Sequence, residues 1–223
     1  MLWDLDNLRP FVQGDWAINA GPRLPLEFSL VSRKRLGALA LAIDEKHGAY
    51  SPSSIILSVH SDIIEARSNL AARERTPLDG IGFIDLEHQS NYSISLTTKT
   101  FISSWLKLSG LQGVVWTDSP PNFENHTNQP FSVENAKRYL HSLSEPSLRE
   151  AKRYIAKAPI GVQSPLRLSL AQETWWQDII SLCHPTPLQQ QTEDPLLMGK
   201  LSTGDDLRPH PRGHCTLAPS WQQ

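Results

Sequence analysis

Apolar positions along this chain fall in short blocks broken by turns. Leu36 to Ile43 (LGALALAI) is a nearly unbroken apolar run closed by a turn over Asp44 to Gly48, which reads as a strand buried on both faces. Ile55 to Val59 (IILSV) reads the same way. Gly82 to Leu86 and Gly113 to Thr117 are rich in β-branched and aromatic residues and give two further strands. Helical spacing appears between and after these runs. Asp62, with Glu65 three residues on, makes a capping-box start for a helix that runs to about Arg75 and stops before Pro77. A second helix covers Thr100 to Ser109 and is closed by Gly110. A third begins after Ser132, with Val133, Ala136, Leu140 and Leu143 on one face. A fourth begins at Ser147, where Glu150 completes a capping box, and turns Leu148, Ala151, Ile155 and Ala158 inward until Pro159 ends it.

Strands with one helix come first and a helical pair follows. That order predicts an α+β fold, a small mixed barrel or sheet with flanking helices. The expected layout is a core over 1–130, a helical pair packed on it over 131–170, and a C-terminal extension over 171–223. From residue 185 the composition shifts. Gln189 to Gln191 and a scatter of prolines and glycines interrupt any period, so this part is expected to be mostly disordered.

Bulk composition narrows the function classes. Of 223 residues, 39% are hydrophobic and 20% charged, as in soluble globular proteins, and the formal net charge is -2. No basic excess points to nucleic acid. No apolar run reaches the ~18 residues of a membrane span. The start, Met1 to Asp6, is acidic and is not read as a secretory signal. The two cysteines, Cys183 and Cys215, allow one disulfide or two free thiols, and a reducing, cytoplasmic setting is expected.

The helix from Asp62 carries the best candidate for chemistry. Ile63, Ala66 and Leu70 share a face, and Glu74 lies four residues further along it. A carboxylate that ends an apolar stripe loses water and becomes a better base. Arg73 and Arg75 are expected on other sides of the helix. The bland alternative is a helix-end carboxylate paired with a surface arginine. Ser32-Arg33-Lys34-Arg35 either holds a carboxylate or phosphate or is a solvated edge. Trp116 is expected in the core with its ring N–H bonded to a carbonyl, and Asp118 opens a turn into Ser119-Pro120-Pro121. Cys183, His184, His210, His214 and Cys215 invite a zinc reading, but the gap between Cys183 and His210 is long and no CxxC pair exists, so no metal is expected. His60 lies outside any Gly-x-Ser-x-Gly elbow, and neither a Walker A nor a GxGxxG pattern occurs.

Several ordered stretches resemble the gamma-glutamylcyclotransferase-like family, especially its longer bacterial-type members. They are Leu2-Trp3-Asp4-Leu5-Asp6-Asn7-Leu8, Gly21-Pro22-Arg23-Leu24-Pro25 into Glu27-Phe28-Ser29, and Ser32 through Leu39. Asn69 through Arg75 and Gly113 through Asp118 complete the set. The resemblance covers residues 2 to 167. It implies cyclisation of a γ-glutamyl group to 5-oxoproline with release of an amine or amino acid, without metal or organic cofactor. It implies Glu74 as the acid–base residue, and Leu2, Trp3, Ser32, Arg33 and Arg35 as substrate-binding residues. The family places its anion-binding amides on a Tyr-Gly-Ser-Leu loop after the first strand. Here Met1 stands where that loop's leucine would be, so the resemblance implies that loop and strand are missing. A misassigned start or truncated gene is one explanation. The other is a chain that has lost catalysis and serves as a binding or regulatory module, with a protein partner or a second copy. A sheet short of one strand is expected to leave backbone unpaired.

Overall fold

The computed structural model describes residues 9–177 and 214–219. It is a mixed α/β structure built on one curled, half-barrel sheet. The elements in chain order are β1 (Val12–Ala17), β2 (Arg23–Ser32), β3 (Ala38–Ile43), β4 (Ala49–Ser58), α1 (Ile63–Glu74), β5 (Ile81–Asp85), β6 (Ser90–Tyr92), α2 (Leu96–Ser109), β7 (Gly113–Thr117), α3 (Phe123–Thr127), α4 (Val133–Ser142), α5 (Glu145–Ala156), α6 (Pro165–Leu170) and β8 (His214–Pro219).

The strand order is β3-β2-β4-β8-β7-β5-β6, with β1 also on β4. β8 enters the middle of the sheet. It pairs antiparallel with β4 over Ser53 to Leu57 and parallel with β7 over Gly113 to Val115. Among the described strands, only β8 joins the β3-β2-β4 half to the β7-β5-β6 half. The composition shift that predicts a disordered extension therefore does not hold for residues 214–219, and the slot beside β4 is filled from the end of the chain. At the start of the extension, before residue 185, Trp176 is buried and packs with the main core.

Two-residue periodicity sorts the side chains between two layers. On β7, Val114 and Trp116 join the main core with β2, β3 and α4 to α6, while Val115 faces Ile63, Leu70, Ile81 and Phe83 under α1. Full burial of a residue like Leu70 is worth about 1.5–3 kcal/mol. The Asp62 cap on the Ile64 amide is worth about 1 kcal/mol. Packing thus sets where α1 lies, and the cap sets where it begins.

Expected elements recur with shifted ends. α2 begins at Leu96, capped by Ser95, and not at Thr100. α5 begins at Glu145, so Ser147 sits inside the helix, its hydroxyl against that of Ser144. β3 begins at Ala38 because Leu36 and Gly37 both have positive φ. The 131–170 region holds a third short helix, α6, beside the expected pair. Trp116 is 2% exposed, but its ring nitrogen has no hydrogen-bond partner, contrary to the expected carbonyl contact. The ring lies on Gly82 instead: a Cβ there would come 2.2 Å from Trp116 Cε2. Cys215 is a free, buried thiol among the described residues, and Cys183 lies outside them.

Gly82→Ala is expected to destabilise the fold by about 1–3 kcal/mol through this clash. Urea unfolding checks it. An unchanged midpoint would mean the ring does not lie on Gly82.

The Asp85 carboxylate accepts from the Glu87 and His88 amides and from the His88 ring at 2.8 Å. Despite burial, those bonds hold Asp85 below its usual range, and the Asp85 bond and charge raise His88 above 6.5. The His88 contribution is full below its unfolded value and fades as pH rises through the raised one. The Asp85 contribution is present above 3.8 and fades as pH falls through the depressed one. The stability gap between wild type and His88→Ala is expected to be widest near pH ~5 and to close toward pH ~8. Urea midpoints across that range measure it.

Candidate active site

Topology carries Glu74 to a definite place. β5 is antiparallel to β7, β7 parallel to β8, and β8 antiparallel to β4, so β4 and β5 run the same way. α1 is the crossover between them and runs back along β7 and β8. Its last residue, Glu74, therefore lies at the carboxyl end of the parallel β7–β8 pair. The Asp118 amide, just past β7, bonds the Gly80 carbonyl, which ties the loop after α1 to that end.

α1 presents Ile63, Ala66 and Leu70 to the sheet as the spacing requires, and Glu74 ends the stripe half-buried, its side chain 25% exposed. Its Oε1 is buried and has no hydrogen-bond partner. Arg73 departs from expectation. It is not on a remote side of the helix; its side chain is only 12% exposed, with Nε 3.6 Å from Glu74 Oε1. Arg73 Nε and Nη2 are likewise buried without hydrogen-bond partners. Burial holds the guanidinium below its usual range, and the Glu74 charge works the other way.

The basic cluster comes to the same end. Arg33–Arg35 forms a tight 3-10 turn between β2 and β3, and the Lys34 ammonium donates to the Glu74 backbone carbonyl. This closes the C-terminus of α1 with a cation, where the helix dipole favours one. Arg35 is committed elsewhere: it donates to Glu150 Oε1 at 2.9 Å and lies 4.2 Å from the centre of the Tyr154 ring. Tyr154 is held above its usual range by burial, with Arg35 opposing and Glu74 and Glu150 adding to the rise, so all these charges share one neighbourhood. Arg33 is exposed, and Ser32 is partly buried at the mouth of the turn with no cap bond. Leu36, which follows, is 61% exposed at φ 55, a strained state for a leucine. Leu2 and Trp3 lie outside the described residues, as do Cys183, His184 and His210.

Asp118 ties two loops together: its Oδ2 accepts from the Ile94 amide at 2.6 Å. Sequence reasoning missed Glu27, fully buried, which accepts from the Ser164 hydroxyl and the Phe28 and Leu166 amides and so anchors the start of α6. Burial raises Glu27 while those bonds lower it, and burial prevails. A polar groove between α2 and the β5–β6 hairpin, lined by Asn91, Lys99, Ser103 and Lys107, does not include Glu74. Among the described residues no helix is long and apolar enough to cross a membrane.

Arg35→Gln is expected to cost about 0.5–1.5 kcal/mol of stability, because the Glu150 carboxylate, 19% exposed, loses one of its two guanidinium partners and keeps Arg153. A double-mutant cycle with Glu150→Gln measures the coupling. A coupling of zero would return Arg35 to the pool of substrate-binding cations.

No family model, no curated protein and no solved structure matches this chain.

Proposed function

We propose that this chain acts on a γ-glutamyl amine or peptide, cyclising the glutamyl unit to 5-oxoproline, with Glu74 as acid–base residue. The observation that carries the reading is the buried Oε1 of Glu74, which makes no hydrogen bond, at the carboxyl end of the β7–β8 pair. A carboxylate oxygen kept from water, with the Arg73 guanidinium at 3.6 Å but no hydrogen bond made, can accept a proton brought by a ligand. The α-ammonium of the substrate gives one proton to Glu74. Its nitrogen then attacks the side-chain amide carbonyl, forming the ring C–N bond. Glu74 passes that proton to the leaving nitrogen as the amide C–N bond breaks, then takes the second surplus proton from the ring nitrogen and hands it on as well, so that the amine departs as an ammonium. The closure is intramolecular, so positioning lowers much of the barrier. Atoms and charge balance without metal, redox partner or other co-reactant.

A second reading has its own observation. Arg35 is bound to Glu150 and stacked on Tyr154, which removes one expected substrate cation and fits a non-catalytic binding module.

Release of 5-oxoproline from a panel of γ-glutamyl amines separates the two. Wild type is expected to turn over at least one substrate, and Glu74→Gln to lower kcat by about 10²–10⁴. No turnover by wild type, or turnover unchanged in Glu74→Gln, overturns the catalytic reading.

A further inference from the structure

Three polar atoms at the end of α1 stand out: Arg73 Nε, Arg73 Nη2 and Glu74 Oε1 are all buried, and none has a hydrogen-bond partner. A buried donor or acceptor left unsatisfied costs about 1–3 kcal/mol, and folded proteins pair nearly all of them. Three such atoms on neighbouring residues are a concentrated deficit, and it lies at one point of the fold. The two groups form an ion pair, with Nε 3.6 Å from Oε1, just outside hydrogen-bond reach.

The chemistry of the three atoms is complementary to one ligand class. Nε and Nη2 form one edge of the guanidinium and point two N–H donors the same way, the fork that matches the two oxygens of a carboxylate. Oε1 is an acceptor suited to an ammonium. A free α-amino acid head carries a carboxylate and an ammonium on one carbon, at a separation that suits a guanidinium edge and a carboxylate side by side. We infer that Arg73 and Glu74 together form the subsite for a free α-amino-acid head group, with Arg73 anchoring its carboxylate and Glu74 taking its ammonium. This assignment deepens the cyclisation reading and rests on it only for what happens after binding. It moves the carboxylate anchor from Arg33 and Arg35 to a residue that helical spacing places on another face. Arg33 is exposed and Arg35 serves Glu150, whereas Arg73 has donors to offer. Lys34, fixed on the Glu74 carbonyl, adds positive charge to the same end without competing for Oε1.

Calorimetric titration of the full chain with γ-L-glutamyl methylamide, and with its analogue lacking the α-carboxylate (4-aminobutyric acid methylamide), tests this. Wild type is expected to bind the carboxylate-bearing ligand about 10–100-fold more tightly, the usual worth of a charge-assisted pair. Arg73→Gln is expected to erase that preference, Arg73→Lys to retain part of it, and Glu74→Gln to keep it while weakening both ligands. Circular dichroism melts identify any variant that fails to fold, and the two-ligand comparison on wild type stands without variants. Equal affinity for both ligands, no binding of either, or a preference that survives in folded Arg73→Gln overturns the assignment. Preferential binding without 5-oxoproline release would end the cyclisation reading and leave the subsite standing. Turnover with an unchanged KM in Arg73→Gln would do the reverse.

Discussion

The pairing of β8 on both its edges is the constraint on which the described structure depends. Five register pairs with β4 and three with β7 tie two half-sheets into one. Without that strand, the Ser53–Leu57 edge of β4 and the Gly113–Val115 edge of β7 would face each other unpaired. Cys215 would leave the main core, and Thr216, also buried, would lose its place beside Val115. Unpaired buried backbone is costly, so β8 fixes the register between the two halves, which also share the main core. α1 packs across β5, β7 and β8, so the position of its end follows from the same strand.

That dependence joins fold to site. The crossover from β4 to β5 runs α1 back along the parallel pair and stops it where β7 and β8 end. The turn between β2 and β3 reaches the same place from the other half of the sheet, and Lys34 fastens it to the last carbonyl of α1. Arg35 then leans away onto Glu150 and Tyr154 of α5. The result is a ring of charges in which Lys34 and Arg35 are satisfied, while the side chains of Arg73 and Glu74 keep unused hydrogen-bonding capacity. In a folded protein such capacity is a cost, and a ligand that removes it is favoured by the same amount.

Much of this was legible in the sequence, and the failures have physical causes. The face of α1, its Asp62 cap and the place of Glu74 on it followed from three- and four-residue spacing, because a helix fixes those directions locally. β7 was found at its observed bounds because Val114 through Trp116 are apolar and β-branched or aromatic without interruption. β8 was missed. His214 to Pro219 is short, ends in proline and sits among turn-forming residues, and only its long-range pairing makes it a strand. Only the second half of β4 is legible, since Pro52 cannot donate to a ladder and Ser51 to Ser54 carry no apolar run. Arg73 was put on another side of α1 because helical spacing gives the direction of Cβ but not of a long side chain, which can fold back over its neighbour. Glu150 and Tyr154 carried no local signal for their contact with Arg35, since the turn and α5 lie over a hundred residues apart.

The most direct measurement is a crystal structure of the full chain with γ-L-glutamyl methylamide bound. The account predicts its α-carboxylate on Nε and Nη2 of Arg73, its ammonium on Oε1 of Glu74, and β8 in place between β4 and β7. A structure with the ligand elsewhere, and those three atoms bonded to ordered waters or to each other, would contradict it.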